Sequence, residues 1–431
     1  MNTNFAQSEK NWKRPFFTIW TGQAFSLLGS SLAGFALVWW LTSTTGSATI
    51  LALGTLMQVL PQILLGPLMG ALVDRWDRRL VMIVADGTIA LFSLGLALLF
   101  VFQVAQFWHV YVILFVRSVG GVFHLLAMQA STPLMVPQKH LGRVAGANQT
   151  LQGIMNIVAP ALGALLLGFL PVQGVLMVDV GSALLAILPL CFIPIPRPQR
   201  SIPEPGSAPA AGTSLGGEIR AGLRYVWNWP GLRNLIIMVT VANLFAIPAM
   251  SFIPLLVTRH FGLGVLQVGW MGTVEGVGVL CGGLLLAAWG GFRRRVMTIL
   301  MGAILQGVGI LVTGLAPSDA FLLALAGNLL WTLVRPILDG TIFAMVQSIV
   351  PPELQGRVFS IMLSGAGASS LLGLALAGPI VDHTGVPFWF ILTGSVVVLI
   401  GAAGLLIPSI MHIDEPGQRR LAPTAAAQSQ G

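Results

Sequence analysis

An all-α polytopic membrane protein, with twelve transmembrane helices in two pseudo-symmetric six-helix bundles, is the fold class this sequence predicts. Three observations predict it. The 431-residue chain is 55% hydrophobic and only 8% charged, where a soluble protein carries about 25% charged residues, so the bilayer must be its solvent. Long apolar runs follow one another along the whole chain, each enough for a helix of ~20 residues to cross a ~30 Å hydrocarbon core. All but three of the 22 Lys and Arg residues fall at the chain ends or in alternate gaps between the runs, as cytoplasmic segments require.

Taken in order, Lys10, Lys13 and Arg14 precede the first span, 15–41, and the second, 49–73, runs into Arg75, Arg78 and Arg79. Spans three and four, 80–102 and 109–136, lead to Lys139 and Arg143. Spans five and six, 144–169 and 175–195, lead to Arg197, Arg200, Arg220, Arg224 and Arg233. In the second half, 231–256 and 267–291 end at Arg293, Arg294 and Arg295, and 296–316 and 320–349 end at Arg357. The last two, 358–380 and 387–411, end at Arg419 and Arg420. The other gaps hold only Arg259, while Arg117 and Arg335 lie inside spans. An even number of spans with basic ends places both termini in the cytoplasm. No run alternates polar and apolar residues as a barrel strand does. Only closed hydrogen bonding survives in lipid, so each run is predicted to be a helix.

Four segments follow: a bundle over 1–195, a cytoplasmic linker over 196–230, a bundle over 231–411 and a polar tail over 412–431. The stretch IPRPQRSIPEPGSAPAAGTS has linker composition. LGGEIRAGLRYVWNWPGLR after it predicts an amphipathic helix on the cytoplasmic membrane face, with Trp227 and Trp229 at the interface. The halves repeat: PQKHLGRV at 137–144 matches PPELQGRV at 351–358, and APALGA at 159–164 matches GLALAG at 373–378 at the same offset. Two such halves suit a rocking transporter.

Several functions are excluded. The net charge of +8 is spread over topology-setting segments rather than gathered on one face, which argues against a nucleic-acid partner. Cys191 and Cys281 are too few for a metal or disulfide framework. His109, His124, His140, His260, His383 and His412 are scattered and no HExxH occurs, so no metal site is expected. The only lysines, Lys10, Lys13 and Lys139, do not follow Gly, so there is no phosphate-cradling GxxxxGK[ST] loop.

GALVDRWDRR, from Gly70 to Arg79, sits in the gap between the second and third spans. It resembles the signature of the major facilitator superfamily in Gly70, Asp74, Arg75, Arg78 and Arg79, with Asp77 in place of a usual Gly. The resemblance covers nearly the whole chain and implies a transporter, a monomer by superfamily likeness, with no cofactor. Gly70 is expected to allow close helix contact. Asp74 is expected to face the N-terminus of the eleventh helix near Gly356 and Arg357, where the helix dipole favours a carboxylate, and so to gate the cytoplasmic side. Trp20, Gly22, Gln23, Ser26 and Gly29 of the first span, with GRVAGANQ entering the fifth, resemble the drug:proton antiporter branch that includes macrolide efflux proteins. Ala159-Pro160 and Gly163-Ala164 stand where that branch has Gly-Pro and Gly-Gly.

A charge at bilayer depth costs ~2.5–3.5 kcal/mol or more, so each needs a partner or a task. Arg117 lies mid-span, where the related antiporters carry an Arg implicated in proton transfer. Glu275, mid-way along the eighth span, is the best placed carboxylate for titration. Arg335 and Asp339 are spaced to pair on one helix face. These four are the proton-coupling candidates. Asp179 is expected to face an outer cavity and meet a cationic substrate, and Asp86 to pair with the cytoplasmic arginines. Gln23, Gln58, Gln62, His124, Gln149, Gln152, Asn156, Asn243 and Gln306 are candidate cavity walls or interhelical hydrogen-bonding groups.

The expectation is a secondary active transporter in a prokaryotic plasma membrane, exporting amphipathic small molecules such as macrolides against proton entry. Its partners would be substrate, protons and membrane lipid. On the residues alone, lysophospholipid flipping, siderophore or metabolite transport, a non-transporting receptor and a membrane enzyme stay open.

Overall fold

The computed structural model describes residues 12–73, 75–196 and 215–413. Twelve of its helices are long and apolar enough to cross a membrane. The first six are α1 (Lys13–Thr45), α2 (Ala48–Val73), α3 (Arg78–Val101), α4 (Phe107–Met135), α5 (Gln138–Phe169) and α6 (Val172–Phe192). The linker helix is α7 (Leu215–Asn228). The second six are α8 (Pro230–Ser251), α9 (Val265–Trp289), α10 (Arg295–Leu315), α11 (Phe321–Ile349), α12 (Pro352–Thr384) and α13 (Val386–Leu406), with a short α14 (Pro408–Met411) after them.

Contacts divide the chain into two compact units. The first joins Met1–Arg200 to Val257–Thr273, and the second joins Ser201–Leu256 to Val274–Gly431. Within the first, α1 packs on α5 and α6, and α3 on α4 and α6. Within the second, α8 packs on α12 and α13, and α10 on α11 and α13. The pairing scheme of one half thus recurs in the other, as the repeated segments predict.

Small residues allow these approaches. In lipid, helices associate through close van der Waals packing rather than through a hydrophobic drive. A Cβ at Gly29 of α1 would lie 1.9 Å from Ser182 Oγ of α6, and one at Gly22 would lie 3.2 Å from the Leu185 carbonyl oxygen. A Cβ at Gly269 would lie 2.4 Å from Ala164 Cβ, so the small residues of α5 admit the start of α9. In the second unit a Cβ at Gly282 of α9 would lie 1.9 Å from the Leu333 carbonyl oxygen of α11. Gly46, at φ 61°, ends α1 in the left-handed conformation and donates its N–H to the Thr42 carbonyl, a cap that favours glycine.

Three local expectations are corrected. α5 and α12 begin at Gln138 and Pro352, so Lys139, Arg143 and Arg357 ride on first turns of helix rather than in loops. A proline at each N-cap, Pro137 and Pro351, suits a helix start, where a missing N–H costs nothing. The seventh span is not continuous. α8 stops at Ser251, and a short turn leads into a π-helical turn, Leu256–His260. Pro248 and Pro254 interrupt the backbone bonding there. Finally, Trp229 is buried, at 2% exposure, while Trp227 is exposed and lies 5.5 Å under the Arg233 guanidinium. One face of α7 therefore packs on protein, and only Trp227 is placed for the interface.

Candidate functional site

The first unit holds two polar layers. In the deeper one, Arg117 of α4 forms an ion pair with Asp179 of α6. Ser93 Oγ of α3 donates to Asp179 Oδ2 at 2.8 Å and accepts from Arg117 Nη1 at 2.9 Å. Ser30 Oγ of α1 donates to Asp179 Oδ1 at 3.1 Å, and Arg117 Nη2 donates to the Ser30 carbonyl at 2.8 Å. Four helices meet on one charge pair. Asp179, at 1% exposure, is therefore not the cavity-facing acid the sequence suggested. A carboxylate this deep is tolerable because a guanidinium neutralises it and hydroxyls fill its remaining lone pairs.

The second layer lies seven residues away on each of three helices. Gln23 is seven before Ser30 on α1, Asp86 seven before Ser93 on α3, and His124 seven after Arg117 on α4. Seven residues is close to two helical turns, ~10 Å along the axis at 1.5 Å per residue. His124 Nε2 lies 2.6 Å from Gln23 Oε1 and 3.7 Å from Asp86 Oδ2. Asp86 and Gln23 are both buried, and neither Asp86 Oδ2 nor Gln23 Nε2 has a hydrogen-bond partner among the described residues. Asp86 is thus not paired with the arginines at the helix ends. Arg79 goes elsewhere: its Nε and Nη2 donate to the carbonyls of Leu190 and Cys191 in the last turn of α6, where a cation meets the negative helix end.

In the second unit a cavity opens between α8, α10, α11 and α13. Its wall is largely aliphatic with Met238 and Met250, and its polar groups are Asn243, Gln306, Arg335 and Asp339. Arg335 Nε stands 3.9 Å from Asp339 Oδ2, and Arg335 Nη1 donates to Met250 Sδ at 3.2 Å. Asn243 Nδ2 donates to the Val239 carbonyl at 2.9 Å, which leaves its side-chain oxygen available. The guanidinium of Arg335 also acts electrostatically on half-buried Glu275 of α9. Arg335 and Asp339 thus share this cavity, Glu275 lies within electrostatic reach of Arg335, and Arg117 stands apart in the first unit. An apolar pocket with a few convergent polar groups is the usual form of a small-molecule site.

The remaining candidates join neither cluster. The Gln58 carbonyl accepts from Ser118, and Gln152 and Asn156 are exposed on α5. A Cβ at Gly70 would meet no described atom within 4 Å, so the expected close contact there is absent among the described residues. Asp74 lies outside them. Arg75 is exposed, and Arg78 is half-buried at the start of α3. Asp77 caps α3, its side chain accepting from the N–H of Arg79 at 3.1 Å and of Leu80 at 3.4 Å. It has φ −69°, so it replaces the usual glycine as an N-cap. A Cβ at Gly222 would lie 3.0 Å from Arg357 Cβ, which seats α7 on the first turns of α12. No group of His, Cys, Asp and Glu able to hold a metal occurs among the described residues.

Sequence comparison matches residues 11–426 to a family model described as transmembrane secretion effector. Macrolide efflux protein A of Streptococcus pyogenes is 32% identical over 404 residues, covering 94% of this chain and 98% of that protein. The protein of the same name from Enterococcus faecalis is 30% identical over 329 residues, covering 76% and 100%. The multidrug efflux pump Tap of Mycolicibacterium fortuitum is 27% identical over 400 residues, covering 90% and 94%. Among solved structures, a D-xylose-proton symporter superposes with a TM-score of 0.65 at 13% identity, covering 90% of this chain and 96% of that one. A bacterial homologue of the iron transporter ferroportin gives 0.64 at 15% identity, covering 90% and 98%. At these identities the structural likeness speaks for the fold.

Proposed function

This chain belongs to the transmembrane secretion effector family of major facilitator superfamily transporters, and on that premise we propose that it exports amphipathic small molecules, macrolides among them, against proton entry. It works by alternating access in a bacterial plasma membrane with both termini cytoplasmic. The observation that carries the reading is the cavity of the second unit, which sets Arg335, Asp339, Asn243 and Gln306 into a largely aliphatic wall that includes Met238 and Met250. Flexible thioethers adapt to large, irregular apolar ligands, and the few polar groups orient them. The macrolide efflux proteins that resemble the chain over nearly their full length support that cargo class.

Glu275, Arg335 and Asp339 form the coupling group in this unit, and Arg117 supplies the fixed cation of the other. A proton arriving on a carboxylate beside Arg335 weakens its hold on the guanidinium and frees that cation to change partner, while substrate competes for the same groups. The gating role on the cytoplasmic side is assigned to Asp74, Arg75, Arg78, Arg79 and Arg357 by likeness to the superfamily signature. Flux needs no cofactor and draws on the proton gradient.

The test is accumulation of labelled erythromycin and of a cationic dye in a susceptible host, with and without a protonophore. Lower accumulation that the protonophore restores is expected. Export that survives collapse of the gradient would remove proton coupling. No export of any amphipath by correctly inserted protein would remove the cargo class and leave lipid flipping or metabolite uptake.

A further inference from the structure

The layer formed by Gln23, Asp86 and His124 is used by nothing described so far. It repeats the geometry of the Arg117–Asp179 layer on three of the same helices, seven residues along each. The chemistry differs in one respect. Arg117 is a permanent cation, and Asp179 is satisfied by it and by two serine hydroxyls. In the other layer the basic partner is a histidine, which can be neutral or protonated, and one oxygen of the acid has no hydrogen-bond partner among the described residues.

We propose that Asp86 and His124, aligned by Gln23, form a proton-holding site in the first bundle. Beyond the one N–H of a neutral imidazole, the site carries one further exchangeable proton. That proton sits either on Asp86, beside a neutral imidazole, or on His124, beside the carboxylate. In both forms the layer is neutral, and releasing the proton leaves a net charge of −1. Gln23 can serve either form, because its side chain lies against both partners. With the proton on His124, the amide oxygen accepts from the Nε2–H and the amide NH2 faces the carboxylate. With it on Asp86, a flip lets the oxygen accept from the carboxyl O–H while the NH2 donates to the bare Nε2 of the Nδ1–H imidazole.

The surroundings favour confinement of that proton. The helices packed about Asp86 and His124 are α1, α2, α5 and α6, besides their own α3 and α4. Away from the helix ends their charged groups are Arg117 and Asp179, already paired with each other. Asp179 acts electrostatically on Asp86, so the two layers sense one another across about two helical turns. Lys13, Arg14, Arg78, Arg79, His109, Lys139, His140 and Arg143 sit at the ends of these helices. His124 is the more exposed of the two, at 22% against 5% for Asp86.

The role in coupling rests on the proton-driven reading above, but the site itself does not, and the experiment separates them. Full-length protein in lipid is followed by infrared difference spectroscopy through an acid-to-alkaline titration without substrate. A protonated-carboxyl band is expected that disappears on alkalinisation, is missing in Asp86→Asn, titrates at a shifted pH in His124→Gln and persists in Glu275→Gln. An identical band in Asp86→Asn, or an unshifted titration in His124→Gln, overturns the site whatever the transport assays show. Normal spectra for the site with protonophore-insensitive export would instead sink proton coupling alone. All three substitutions are close in volume to the native side chains, and thermal unfolding in detergent checks that each variant is folded.

Discussion

Arg117 and His124 stand two turns apart on one face of α4, and each meets an acid from another helix, Asp179 for the arginine and Asp86 for the histidine. The same helix face therefore carries one fixed and one titratable charge. For the fixed pair, removing one partner leaves an uncompensated ion in a buried site, at about 3–5 kcal/mol. Arg117→Met or Asp179→Leu alone should lower the unfolding temperature in detergent steeply. The double variant should recover much of that loss without recovering transport. A single variant as stable as the wild type would contradict the network.

The cavity of the second unit depends on Arg335. Arg335→Ala removes both the partner of Asp339 and the donor to Met250, while the helices around it keep their packing. Erythromycin export is expected to fall at least about tenfold with insertion unchanged, equivalent to the ~1.4 kcal/mol of one lost ionic contact. Arg335→Lys keeps the charge but loses the planar fork, and should recover only part of the activity.

Glu275 shares the field of Arg335. In Glu275→Gln the side chain can no longer exchange a proton. Gradient-driven accumulation in inverted vesicles should be lost while substrate exchange without a gradient persists. Equal loss of both would assign Glu275 to binding or folding instead.

Gly282 is where α9 meets α11. A Cβ there would overlap the Leu333 carbonyl and come within 2.7 Å of Pro336 Cγ, so Gly282→Ala must push the two helices apart. Overpacking of this kind costs about 1–3 kcal/mol, read as a fall in thermal stability. A Cβ at Gly283, its neighbour, would meet nothing within 4 Å among the described residues, and Gly283→Ala should be neutral.

Tyr225 of α7 is buried among Val226, Trp229 and Leu232, with no partner for its hydroxyl among the described residues. Burial pushes the phenol above its ordinary value of 10.0. The folded state therefore holds the proton more tightly than the unfolded chain. Its contribution is complete below pH ~10 and is lost as pH rises beyond that. Tyr225→Phe should leave α7 at least as well docked near neutrality, and should remove this alkaline loss, measured by protease protection of the linker across pH.

The spans were legible because length, apolarity and the placement of lysine and arginine are properties of single segments. The pairing of Arg335 with Asp339 was legible too, since both lie on one helix four residues apart. Gly22 and Gly29 stood out only through likeness, and the structure supplies their reason in the approach of α6. Asp179 and Asp86 were misread. Their partners lie 62 and 38 residues away along the chain, and nothing within either segment announces them. The signal that could have found both layers was the seven-residue spacing shared by Gln23 with Ser30, Asp86 with Ser93 and Arg117 with His124.

By itself, then, the sequence determined a twelve-helix membrane protein with a repeated half, the family's motif between spans two and three, and a short roster of intramembrane charges. These follow from how each segment partitions between water and lipid, which neighbouring residues settle locally. Only the tertiary structure decided which charge answers which. That depends on the rotation of each helix about its axis and on which helices lie side by side, and lipid, apolar on every side, imposes neither. Close packing at glycines and the need to neutralise each buried charge impose both.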